Sequence, residues 1–142
     1  MTSGSTGTHS GVLTGLMGEN AHIPVIGIGI NKKKDVQTQN VYNLCCKLCD
    51  ELDIPKFSKD EVVVFDDYIG EGYSKVTDGM IKAVSLVAKK EAILLDPVYT
   101  GKTMDGMLDL IRKGVFKKEE KVLFLHTGGS PSLFAYTDYF WE

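Results

Sequence analysis

Four short apolar runs, at residues 23–30, 62–65, 92–95 and 122–125, punctuate the chain, and each gives way to a polar loop and then to residues with helical spacing. Short continuous runs rich in Val, Ile and Leu are what strands covered on both faces look like. Between them the apolar positions fall at helical intervals: Val12, Leu13, Leu16 and Met17, then Val41, Leu44, Cys45 and Leu48, then Met80, Ile81, Val84 and Val87, then Met104, Met107, Leu108 and Ile111. Strand and helix in alternation predict an α/β fold of three layers, a mostly parallel sheet flanked by helices. A length of 142 residues suits one such domain, spanning 1–142. Asp35 is placed to cap a helix over residues 36–52, Thr77 or Asp78 the next, and Gly114 to stop the one after. Ser130 suits an N-cap and Pro131 the first position of a short aromatic helix carrying Leu133, Phe134 and Tyr136.

In open parallel sheets ligands bind beyond the carboxyl ends of the strands. Those ends carry Asp66, Asp67 and Tyr73, then Asp96, Tyr99 and Thr100, then His126, Thr127, Gly128 and Gly129. The middles of the runs are hydrocarbon, so the polar groups converge on one rim. A further polar stretch, Gly4-Ser5-Thr6-Gly7-Thr8-His9-Ser10-Gly11, leads straight into the first helical pattern. Glycines permit close backbone approach, hydroxyls donate, and the free N–H groups of a helix start carry the positive end of its dipole. The stretch reads as a cradle for a phosphate, although it matches neither a Walker loop nor a dinucleotide fingerprint. A flexible Gly/Ser-rich terminus is the competing reading.

A formal net charge of -3 and a single arginine, Arg112, exclude a nucleic-acid footprint. No apolar run approaches the roughly 18 residues of a membrane span, and Met1-Thr2-Ser3 opens no secretory leader, so a soluble, cytoplasmic protein is expected. Cys45, Cys46 and Cys49 fall inside a helical pattern, where a redox pair would want a helix N-terminus and zinc would need further ligands. They are expected to be buried or partly buried helix cysteines. Lys32, Lys33 and Lys34 read as a solvated turn. Only three residues precede Gly4, which predicts a cradle hanging from a frayed end, an open neighbouring strand, and completion by a longer protein or another chain.

Three motifs, the cradle above, Asp96-Pro97-Val98-Tyr99-Thr100-Gly101-Lys102 and His126-Thr127-Gly128-Gly129 followed by Leu133-Phe134-Ala135-Tyr136, resemble the carboxy-terminal half of D-cysteine desulfhydrase. That group belongs, with the 1-aminocyclopropane-1-carboxylate (ACC) deaminases, to the fold-type II, tryptophan-synthase-β-like pyridoxal-phosphate enzymes. The resemblance implies pyridoxal 5'-phosphate as cofactor, with Ser5, Thr6, Gly7 and Thr8 on its phosphate, Thr127 at the pyridine nitrogen, and Thr100 and Gly128 beside the ring. It places Tyr73 and Tyr99 near a small amino-acid substrate, either one handling a proton. It further implies a carboxy-terminal portion of a longer, two-domain, homodimeric enzyme.

Two positions separate the members. The deaminases carry Glu where this chain has Thr100, and Leu where it has Thr127, which points to elimination from D-cysteine. The Schiff-base lysine of the family has no counterpart among the fifteen lysines here, so the isolated chain is expected to be inactive, and Lys102 is expected to cap, pair or face solvent. Thr6 stands where a glycine is common and is strained if the loop needs positive φ. Asp96 and His126 are assigned structural roles. ACC deaminase is the alternative within the class; a non-catalytic module gripping a phosphate ligand or a protein is the alternative outside it.

Overall fold

In the computed structural model, which describes residues 1–140, three parallel strands lie in the order β1 (Thr2–Ser3), β2 (Ile26–Gly29) and β3 (Val63–Phe65). Helix α1 (Gly7–Gly18) connects β1 to β2, and α2 (Lys34–Leu52) connects β2 to β3. Crossovers between neighbouring parallel strands are right-handed, which puts both helices on one face. There Leu13, Val41, Cys45 and Val64 form a core. The strands alternate: Ile28 turns the other way, toward Tyr68 and Leu110, with Ile26 and Phe65 beside it. Helices α3 (Asp78–Glu91) and α4 (Thr100–Arg112) pair through Met80, Val84 and Met104, with Leu95 of their connection packed among them. The result is the α/β arrangement anticipated, a parallel sheet flanked by helices.

The amino terminus is not frayed. Thr2 faces Ile28 and Ser3 faces Gly29 in a parallel ladder, the Met1 ammonium donates to the Ile26 carbonyl at 2.9 Å, and the Ile28 N–H donates to the Met1 carbonyl at 2.8 Å. Two residues suffice because both side chains are buried and bonded: Thr2 Oγ1 meets Thr103 Oγ1 at 2.7 Å, and Ser3 Oγ meets His9 Nδ1 at 2.9 Å. The cradle therefore follows a strand after all.

Residues 92–95 and 122–125 form no strand. Ala92 takes φ +55 as the left-handed cap of α3, Leu123 is 88% exposed, and the Leu94 carbonyl accepts from Ser130 Oγ rather than from a neighbouring strand. An apolar run reports suitability for a sheet, but a ladder needs a partner backbone, and among the described residues none pairs with these two runs.

The caps also differ in detail. Thr77 Oγ1 accepts from Met80 N–H as expected. For α2, which starts at Lys34, Asp35 lies within the first turn, and the cap comes from the end of β3, where the Asp66 carboxylate accepts from Lys34 N–H at 2.9 Å. Gly129, not Ser130, occupies the cap of the 3-10 segment Ser130–Tyr139. Gly114 closes α4 at φ +70. Cys45 and Cys49 are buried in α2, Cys46 is half-buried, and all three are free thiols. No helix among the described residues is long and apolar enough to cross a membrane.

Candidate active site

Helix α1 starts inside the glycine-rich stretch. Among the described residues no side chain caps it, and no acidic residue sits in its first turn, so the first N–H groups are open to a ligand and the dipole is uncompensated. Ser5, Gly7 and Thr8 are exposed, Thr6 half-buried. Gly4 lies so close to Ile30 that a Cβ would come within 3.0 Å of its Cδ1. Thr6 adopts φ +79 at the cap position, the strained geometry its replacement of glycine foreshadowed, since left-handed backbone is costly for a β-branched residue.

Behind the cradle His9 is buried beneath Gly27, with Nδ1 on Ser3 Oγ, which also accepts from Gln37 Nε2. Gln37 donates to the Gly4 carbonyl as well, at 3.1 Å. Among the described residues His9 Nε2 has no partner, and burial, aided by the Met1 ammonium, lowers the ring to about 4. His9 is thus neutral at physiological pH, a fixed wall beneath the cradle.

The opposite wall is the start of α4. Asp96 is fully buried, and its carboxylate accepts from the N–H groups of Val98, Tyr99 and Thr100 and from Thr100 Oγ1, all within 2.8 Å. This saturates Asp96 and consumes Thr100, whose side chain is buried at the turn and does not line the hollow. Asp96 is structural, as expected. The turn presents Tyr99 at the rim, and Thr103 Oγ1, bonded to Thr2, donates to the Tyr99 carbonyl at 2.9 Å. Tyr99 and Tyr73 join through their hydroxyls, with rings set edge to face at 6.0 Å between centroids. The bond to Tyr73, then partial burial and the Asp96 charge, raise Tyr99 above the ordinary phenol range. It holds its proton at neutral pH.

The third wall is the 126–129 loop. Gly128 N–H donates to His126 Nδ1 at 3.0 Å, which leaves the proton on Nε2, directed to the Leu94 carbonyl at 3.1 Å. Gly128 and Gly129 both have φ near +90 and let the loop pass against Asp96, where a Cβ on Gly129 would meet Oδ1 at 3.0 Å. Thr127 thereby reaches the same hollow as the cradle.

Ser5, Thr6, Thr8, Tyr73, Tyr99 and Thr127 all border one hollow of about 400 Å³, with Gly128 beside them, within the size range of small-ligand sites. Gly7 sits at the open helix start and Thr100 behind the wall. Sequence reasoning missed Asn31 and Lys32, which also line it. They follow β2, whose carboxyl end lies beside that of β1; Lys33 and Lys34 are exposed, as expected of a solvated turn, and Lys32 borders the hollow because of a strand pairing that no local pattern announces. A second hollow, of about 370 Å³ between α2 and the turn Lys59–Glu61, gathers no comparable set of groups. Among the described residues no cluster of three or more His, Cys, Asp or Glu is arranged to hold a metal.

The donor set suits a phosphorylated aromatic ligand: uncapped N–H groups and three hydroxyls for a dianion, two phenols and a threonine hydroxyl around the remaining space. Comparison with known proteins agrees. Residues 1–128 match the family model described as pyridoxal-phosphate dependent enzyme, a family that depends on that cofactor. A solved crystal structure of an ACC deaminase homologue superposes with a TM-score of 0.88 at 35% identity, over 98% of this chain and 41% of that one. The chain thus spans less than half the length of that relative.

Proposed function

The chain belongs to the pyridoxal-phosphate-dependent enzyme family, and on that premise we propose that it is the carboxy-terminal portion of a D-cysteine desulfhydrase. The reaction is α,β-elimination with uptake of one water, giving pyruvate, ammonia and hydrogen sulfide. The observation that carries this reading is the convergence of the cradle, the Tyr73–Tyr99 pair and Thr127 on one hollow. When bound, pyridoxal phosphate supplies an electron sink for bond breaking at Cα of an amino acid.

This chain's residues bind and orient. Ser5, Thr6 and Thr8 hydroxyls and the first N–H groups of α1 hold the phosphate, and Thr127 offers the ring nitrogen a hydroxyl in place of a carboxylate. Tyr99, protonated at neutral pH and hydrogen-bonded to Tyr73, handles a proton at its hydroxyl. The lysine that anchors the cofactor is supplied by another part of the complete enzyme, which works as a dimer in the cytoplasm, a setting that suits three free thiols.

ACC deaminase is the second reading, favoured by the likeness to an ACC deaminase homologue. The complete enzyme should release sulfide from D-cysteine and leave ACC untouched; the reverse preference would establish the second reading. Thr127→Leu should lower sulfide release. Borohydride reduction of the isolated chain with pyridoxal phosphate should label no lysine specifically. Stoichiometric labelling of Lys32, the lysine that borders the hollow, would overturn the assignment of the anchoring lysine elsewhere.

A further inference from the structure

Lys102, in the first turn of α4, is 0% exposed, and its Nζ donates to the Ile69 carbonyl at 2.6 Å and the Gly72 carbonyl at 2.9 Å. Among the described residues no carboxylate lies within ion-pair distance of it. An ammonium buried without a counter-ion, at the positive end of a helix dipole, is in an unfavourable place, and burial pushes it below the ordinary lysine range. Among the described residues its hydrogen-bond partners are these two carbonyls, and both belong to the loop between β3 and α3 that carries Tyr73.

That loop has few bonds of its own past Tyr68. Gly70, Gly72 and Ser74 all have positive φ, and the segment between β3 and α3 contains neither strand nor helix. Tyr68 anchors its start, buried and bonded through its hydroxyl to Asp109; beyond it the backbone makes two bonds of its own, Ile69 N–H to the Asp66 carbonyl at 3.5 Å and Lys75 N–H to the Gly72 carbonyl at 3.3 Å, while Lys102 holds the Ile69 and Gly72 carbonyls and Tyr136 Oη the Ser74 carbonyl at 3.2 Å. Three residues before Lys102 stands Tyr99, whose hydroxyl meets that of Tyr73. One helical turn therefore grips the loop twice, by its backbone through Lys102 and by its tip through Tyr99.

We infer that Lys102 is a positioning residue, its buried ammonium fastening the Ile69–Gly72 turn so that the Tyr73 hydroxyl is presented to Tyr99 at the rim of the hollow. The inference deepens the functional reading above, because Tyr73 and Tyr99 matter to catalysis only if that reading holds.

The test is a spectrophotometric tyrosine titration of the 142-residue chain without ligand. Tyr42 and Tyr68 are raised as well, so the difference between wild type and Tyr99→Phe isolates the step that belongs to Tyr99, and chymotryptic cleavage after Tyr73 reports the loop. In Lys102→Met the Tyr99 step should return toward the ordinary value of 10.0, and cleavage should quicken roughly tenfold as local opening becomes easier. Lys102→Arg, whose fork can reach both carbonyls, should restore both readouts. Unchanged titration and cleavage in a Lys102→Met chain with native circular dichroism would overturn the inference. Should that variant not fold, Lys102→Gln, with one amide in place of the ammonium, is read by the same two outcomes. Neither readout involves pyridoxal phosphate or an amino acid, so absence of sulfide release sinks the functional reading alone, and an unmoved titration sinks this inference alone. In an enzyme that does release sulfide, Lys102→Met should lower kcat roughly 10- to 100-fold with KM changed less than about twofold.

Discussion

Acid should destabilise this chain through His9. The ring is 1% exposed, bonded at Nδ1 and unpartnered at Nε2, so a second ring proton would bring a charge and an orphaned donor into the space beneath the cradle. Its folded value of about 4 lies below the ordinary 6.5. Between those two values the unfolded chain binds more protons than the folded one, and stability must rise with pH across that window and fall on acidification. Each tenfold difference in proton affinity is worth about 1.4 kcal/mol, which sets a full loss of roughly 3 kcal/mol below both values. At pH 4.5, with the unfolded ring charged and the folded ring mostly neutral, the linkage gives about 2.5 kcal/mol. The assay is urea unfolding of wild type and His9→Gln at pH 7.5 and 4.5. Carboxylates titrate in both proteins and cancel in the difference, and the lost Ser3 contact and ring volume are the same at each pH. Wild type should lose about 2.5 kcal/mol more than the variant on acidification. Equal losses, or a His9 ring titrating near 6.5 by NMR, would refute the reasoning.

Thr6→Gly should stabilise the chain by about 1 kcal/mol by removing a β-branched side chain from left-handed backbone at φ +79, read as a higher urea midpoint with unchanged slope. Asp96→Ala should cost about 3 kcal/mol or more, because it orphans several donors at once in a buried turn; thermal unfolding checks it, and a loss under about 1 kcal/mol would show the turn to be self-supporting. Thr8→Val, which keeps the backbone N–H and removes the exposed hydroxyl, should weaken pyridoxal phosphate binding by roughly fivefold to tenfold in a calorimetric titration. No change would remove that hydroxyl from the phosphate site.

The rim was legible in the sequence because its chemistry sits in contiguous segments. A glycine-spaced hydroxyl stretch, an Asp-Pro turn and a His-Thr-Gly-Gly loop each declare a local geometry; the cradle follows a strand, whereas the runs before the other two form none, so those two walls are not the strand ends that the alternation predicts. Pairings were not legible. Residues 92–95 are as apolar as β2, yet Ala92 is spent as a helix cap, and nothing in a run of hydrocarbon says whether a partner backbone lies alongside. Thr2 and Ser3 form a strand because of contacts to Thr103, His9 and Gln37, from 6 to 101 residues away. The cap of α2 was misplaced for the same reason: Asp35 is adjacent in sequence, whereas Asp66 is adjacent in space.

The segment between Asp96 and Thr103 ties several walls of the hollow together. Asp96 gathers the N–H groups that start α4 and fixes Tyr99 at the rim; Thr100 completes the turn and is lost to the hollow. Lys102 reaches the loop of Tyr73, and Thr103 ties the Tyr99 carbonyl to β1, from which the cradle departs. Cradle and tyrosine pair are therefore not independently placed. A disturbance of this turn should loosen phosphate binding and tyrosine geometry together, whereas a change in the cradle alone, such as Thr8→Val, should leave the tyrosines where they are. If Asp96→Ala were to release Tyr99 without weakening phosphate binding, the link through Thr103 and Thr2 would have to be abandoned, and the shared hollow would owe its shape to the sheet alone.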